Sequence, residues 1–193
     1  IFEGTNEINR LVTIDTLNKS GAKKDYDLYG QGEAIVAGLA DLDGCSCCVD
    51  GYYENKKATI NNFKSVAKML LTAVSKKFGR TMMNEQMILN NISNIVMRIY
   101  VAESTMLRVK KKEEILGLDV ALNTDMLDVI VYDTAEFIRK EAKDCVNSFI
   151  EDEEESKLYL KGIKHYTCAK GVNVKAARER IADKIIEENK YCF

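Results

Sequence analysis

The chain of 193 residues carries 30 acidic and 28 basic side chains, a net charge of −2, with 46% apolar and 30% charged residues. Both signs are spread along it, which argues against the basic face that nucleic-acid binding requires. No apolar run approaches a membrane span, and no signal-peptide pattern is present. The length suffices for one or two domains with a real core. Proline is absent, β-branched alternation is scarce and apolar residues recur with a helical period, so the expected fold is all-α.

In chain order, Ile8, Leu11, Val12 and Ile14 predict a helix over 5–18, with Thr5 as its N-cap and Ser20-Gly21 as its end. Lys23 to Gly32 reads as a polar connector, and a short helix follows at 33–39. The breakers in 41–54 make that stretch the expected linker. From residue 55 the pattern sharpens. Ile60, Phe63, Ala67, Leu70 and Val74 form one amphipathic stripe, closed by Gly79. Ile88, Ile92, Ile95, Ile99, Ala102, Met106 and Val109 then alternate steps of four and three over 83–112, a near-strict seam on a helix ~45 Å long. The short connection between these two helices predicts an antiparallel hairpin.

Asp119 is the expected N-cap of a third long helix running to Phe149, with Leu122, Met126, Val129, Ile130, Phe137 and Ile138 as its buried face. The acidic run 151–155 reads as a solvated turn and helix start, where negative charge suits the helix dipole. Helices at 156–168 and 174–188 complete the chain. Val174, Ala177, Ile181 and Ile185 line the last one, and an aromatic tail is expected to dock back on the bundle.

Six cysteines, at 45, 47, 48, 145, 168 and 192, are scattered in a way that predicts reduced thiols in a cytoplasmic setting. Cys45, Cys48, His165 and Cys168 could be drawn as a zinc site, but their spacing matches no zinc pattern and His165 is the only histidine. No metal is expected.

The first ten residues carry the chemistry. Phe2-Glu3-Gly4-Thr5-Asn6-Glu7-Ile8-Asn9-Arg10 resembles the C-terminal signature of the acyl-CoA dehydrogenase family, an aromatic residue followed by Glu-Gly-Thr-x-x-Ile-x-Arg. The resemblance implies FAD as cofactor and α,β-dehydrogenation of a fatty acyl-CoA, a step of fatty acid β-oxidation. It implies Glu3 as the catalytic base, Gly4 against the acyl thioester, and Thr5, Asn6 and Glu7 lining the FAD. A subset of the family lacks glutamate at this turn; this sequence keeps Glu3. Such a base needs its carboxylate at the α-proton, and donors must meet the charge that develops on the thioester oxygen.

The resemblance also implies that most of the flavin-binding core lies upstream, so that this chain is a C-terminal part, inactive alone. Residues 1–40 would close the catalytic domain, 41–54 would link, and 55–193 would form a helical-bundle extension like that of the very-long-chain branch and some bacterial members. An electron-transfer flavoprotein as acceptor and a homodimeric parent are further implications. Lacking a strongly basic amphipathic face, the bundle is not expected to bind membranes. The competing reading from the residues alone is a non-enzymatic helical interaction or oligomerisation module, since bundles host many functions.

Overall fold

The computed structural model describes residues 4–23, 26–44 and 49–192. Seven α-helices and no strands occur among them: α1 (Asn6–Ala22), α2 (Leu28–Ala37), α3 (Tyr52–Phe78), α4 (Gln86–Glu114), α5 (Ala121–Phe149), α6 (Glu153–Tyr166) and α7 (Val174–Glu188). Short 3-10 turns at Leu39–Asp41 and Gly79–Asn84 follow α2 and α3. The all-α expectation holds. Three boundaries move. Asp27, whose side chain accepts from the Gly30 N–H, starts α2 inside the expected connector. α3 begins at Tyr52, inside the expected linker stretch 41–54. α6 begins inside the acidic run, where Asp152 caps the helix by accepting from the Glu155 N–H at 2.8 Å.

The cross-helix contacts define the topology. Lys64 of α3 reaches Glu103 of α4 at 2.5 Å, and Lys112 of α4 reaches Asn123 of α5 at 3.0 Å. Each pair straddles a connection, so α4 runs antiparallel to both neighbours and α3 parallel to α5. α1 lies antiparallel along α4, with Arg10 at Asn94 and Asn18 at Met82. α2 crosses α3 where Gly32 meets Thr72, and α6 and α7 pack on α5.

Every residue of the α4 seam, Ile88 through Val109, is buried, and Ile92, Ile95 and Ala102 are wholly so. The strict spacing explains this: residues three and four apart share one helix face. On α3, Ile60, Phe63, Leu70 and Val74 are buried as expected. On α5 the expected face is displaced. Leu127, Val131, Ala135, Ile138, Ala142, Cys145, Val146 and Phe149 are buried, while Leu122, Met126, Val129, Ile130 and Phe137 are only half-buried. Apolar residues ring much of this helix, and its neighbours select the stripe. Asp119 does not occupy the N-cap position, which falls to Val120; its carboxylate still accepts from the Ala121 N–H at 3.0 Å.

The last helix departs furthest. Of Val174, Ala177, Ile181 and Ile185, only Ala177 is buried. α7 sits at the edge of the bundle, tied to α5 by Arg180, bidentate on Asp125 at 2.6 and 2.7 Å, and by Arg178 on Asp133 at 2.7 Å. Tyr191 of the expected docking tail is exposed, and Phe193 lies outside the described residues.

A polar knot around the buried Lys56 joins the starts of α3 and α5. The Lys56 ammonium, 5% exposed, pairs with Asp128 at 2.7 Å, and the Tyr52 hydroxyl donates to the same carboxylate at 2.9 Å. Burial, then Asp128, pushes the Tyr52 hydroxyl well above its ordinary pKa. Removing Asp128 would leave the ammonium buried without its partner, a costly state.

The cysteines correct one expectation. Cys145 and Cys192 are free thiols, but Cys168 is disulfide-bonded, its partner lying outside the described residues. His165 Nδ1 lies 3.1 Å from the Gly44 carbonyl, so the end of α6 meets the segment that precedes residues 45–48. Burial, then Glu141, pushes the Cys145 thiol up to about 12. In native protein at pH 8, mass-mapped alkylation should therefore modify Cys192 and spare Cys145, and should reach Cys168 only after reduction. Labelling of Cys145 as fast as Cys192 would contradict its burial.

Gly32 sets the α2–α3 approach. A Cβ there would overlap Thr72 Oγ1 and lie 2.8 Å from the Lys68 carbonyl oxygen. Gly32→Ala should therefore destabilise the chain by ~1–3 kcal/mol through overpacking, despite the ~1 kcal/mol that alanine gains in a helix. Gly171→Ala, with open space around it, should stay near wild type in the same urea titrations.

Candidate functional site

Of the expected site residues, Gly4, Thr5, Asn6 and Glu7 lie at the start of α1. Glu3, the expected base, lies outside the described residues. Gly4 follows at φ 100°, a region that L side chains rarely adopt, which accounts for glycine here. Thr5 then turns extended (φ −77°, ψ 163°), and its hydroxyl accepts from the Ile8 N–H at 3.3 Å, with Asn9 N–H bonded to the Thr5 carbonyl at 3.0 Å. Thr5 is thus the N-cap that the sequence predicts. Asn6 and Glu7 are exposed in the first turn.

Most of the donors at this end of α1 are met within the turn itself. The N–H groups of a helix's first turn point along its axis, unpaired within the helix, and carry its positive partial charge. Glu7 answers that charge from within: its own backbone N–H, then the Thr5 hydroxyl, hold its carboxyl below the usual carboxylate range. The turn therefore combines a glycine with freedom to bend, a capping hydroxyl and an ionised carboxylate.

The helix behind the turn is fixed by a polar line absent from any sequence pattern. Arg10 Nε donates to Asn94 Oδ1 at 2.8 Å, and Asn94 Nδ2 donates to Glu141 Oε2 at 3.0 Å. Arg98 lies over the Phe137 ring at 4.5 Å beside them. Asn94 and Glu141 escaped the sequence reading because each is one polar residue among many on a long helix. Among the described residues no group of three or more His, Cys, Asp and Glu could hold a metal. No described helix is long and apolar enough to cross a membrane.

Comparison with known proteins identifies the family. The family model for the acyl-CoA dehydrogenase C-terminal domain matches residues 62–165, most of α3 through α6. The chain belongs to the acyl-CoA dehydrogenase family. It is 28% identical over 196 aligned residues to a probable acyl-CoA dehydrogenase of Bacillus subtilis (strain 168), covering 99% of this chain and 32% of that protein. The crystal structure of an acyl-CoA dehydrogenase complexed with FAD from Bacillus anthracis superposes with a TM-score of 0.89 at 28% identity, over 100% of this chain and 32% of that one. The chain thus spans about a third of the length of these relatives. The family model's match begins well after the first ten residues.

Thr5→Ala should remove the cap and cost ~1 kcal/mol locally, seen as faster amide exchange over residues 6–10. Glu7 adds a pH dependence. Its folded pKa is depressed, so its contribution is present above the ordinary carboxylate range and is lost as pH falls through the folded value. Residues 6–10 should fray selectively in acid. An NMR titration should show the Glu7 midpoint rising in Thr5→Ala; an unmoved midpoint would contradict the Thr5 contact.

Proposed function

We propose that this chain forms the C-terminal part of an FAD-dependent acyl-CoA dehydrogenase that introduces the α,β double bond into a fatty acyl-CoA, as in β-oxidation. The observation that carries this is the Thr5-capped start of α1, with Gly4 at φ 100°, in a chain of this family. FAD, when bound, accepts the hydride that leaves the β-carbon. Glu3 takes the α-proton, its basicity raised as the closed pocket excludes water. Gly4, lacking a side chain, lets the thioester approach. The backbone N–H of Glu3 donates to the thioester oxygen as charge develops there. Thr5, Asn6 and Glu7 line one edge of the flavin.

Residues 1–40 belong in this reading to the catalytic domain, 41–54 to a connection, and 55–193 to a helical extension. The chain alone holds one edge of the site, and it is inactive by itself. A homodimeric parent, an electron-transfer flavoprotein as acceptor and a cytoplasmic location complete the proposal.

The test is anaerobic mixing of the full-length flavoprotein with acyl-CoAs of several lengths, following flavin absorbance. Wild type should bleach, and Glu3→Gln should bleach about a hundredfold to ten-thousandfold more slowly, the range that loss of a general base typically costs. Equal bleaching by both would move the base elsewhere. No bound flavin would end the enzyme reading in favour of a helical interaction module.

A further inference from the structure

Apolar burial alone does not set the rotation of α1 about its own axis. Within this helix only Ile14 is fully buried, while Leu11 and Leu17 are partly buried against the core. Ile8 and Val12, the apolar residues nearest the turn, are 52% and 54% exposed. Hydrophobic contact is also non-directional, and the exposed Ile8 and Val12 do not hold the first turns of α1 against a small twist. Hydrogen bonds have defined directions.

The polar line from Arg10 supplies that direction. Arg10 lies five residues after Thr5, on the first turns of the helix that begins with the Gly4–Glu7 turn. Its guanidinium only donates, and the Glu141 carboxylate only accepts. Asn94 stands between them with one face of each kind, Oδ1 toward Arg10 and Nδ2 toward Glu141, at 2.8 and 3.0 Å. All three side chains are half-buried, in a cleft of about 460 Å³ that Phe137 and Arg98 wall on one side. Leucine at 94 would satisfy neither neighbour, and aspartate there would set a second carboxylate against Glu141. The line crosses three helices, so a directional bond to α1 is braced by the central hairpin of the bundle.

We propose that Asn94 and Glu141 are positioning residues for the Gly4–Glu7 turn, acting through Arg10. The α4–α5 hairpin thereby sets where the base stands relative to the substrate. This rests on the dehydrogenase reading above and goes beyond it, because it makes the bundle part of the catalytic unit. A base must stand within hydrogen-bond reach of the proton it removes, and a displacement of about 1 Å can cost on the order of a hundredfold in rate.

The experiment uses the full-length, flavin-loaded protein in wild-type, Asn94→Leu, Glu141→Ala and Glu141→Gln forms. Glutamine at 141 keeps an oxygen that accepts from Asn94. In Asn94→Leu and Glu141→Ala, kcat should fall about tenfold while KM stays within about twofold. Amide exchange over residues 8–18 should rise about tenfold, with α3 protection unchanged, which shows the bundle still folded. Glu141→Gln should restore both readouts to within about threefold of wild type. Unchanged kcat and exchange in Asn94→Leu and Glu141→Ala would overturn the proposal, as would a Glu141→Gln variant as impaired as Glu141→Ala. Absence of bleaching by wild type would instead sink the dehydrogenase reading, an outcome read separately from the exchange data.

Discussion

The structure depends on the burial of one apolar stripe. Ile88, Ile92, Ile95, Ile99, Ala102, Met106 and Val109 run along α4 and are removed from water by α1, α3 and α5. At about 1.5–3 kcal/mol for each large side chain, that stripe is a principal driving force for assembling the bundle. It explains the antiparallel hairpins on either side of α4, because a single stripe flanked by short connections closes most simply that way. α6 and α7 are added to α5, and α7 is held there mainly by exposed arginine–aspartate pairs, which contribute little each.

Polar contacts then choose among the arrangements that burial allows. Lys56, Tyr52 and Asp128 fix the starts of α3 and α5 relative to each other. Arg10, Asn94 and Glu141 fix α1 on the hairpin. Each such group is costly to bury unless its partner is in place, so a wrong register carries a penalty that apolar contacts would not impose. The same economy of directional bonds links the fold to the candidate site: the turn from Gly4 to Glu7 sits at the end of a helix whose orientation is set by residues some ninety and one hundred and thirty positions later.

The sequence was most informative where its pattern was strict. The α4 seam could be read residue by residue, since alternating steps of four and three leave only one face to bury. The Thr5 cap and the start of α7 at Val174 were legible for a similar reason: local hydrogen bonding decides them. α5 was not, because apolar residues surround it and only its neighbours select Leu127, Val131 and Ile138 over Leu122, Met126 and Val129. α7 has an apolar stripe that burial does not use, and its position is instead decided by Asp125 and Asp133 on another helix. The disulfide of Cys168 was equally out of reach, as pairing of cysteines depends on the folded chain and not on local pattern.

What the chain determined by itself is the all-α class, the seam of its central helix and the signature at its start, all properties of residues within a few turns of one another. Tertiary structure alone decided which face of α5 is inside, how α7 is held, that Cys168 is oxidised, and that Arg10 of the signature reaches Asn94 and Glu141. The physical reason is the range of the forces. Helical periodicity, capping and turn chemistry act over three to four residues and are written in the sequence. A hydrogen bond across three helices requires the whole core to have formed first.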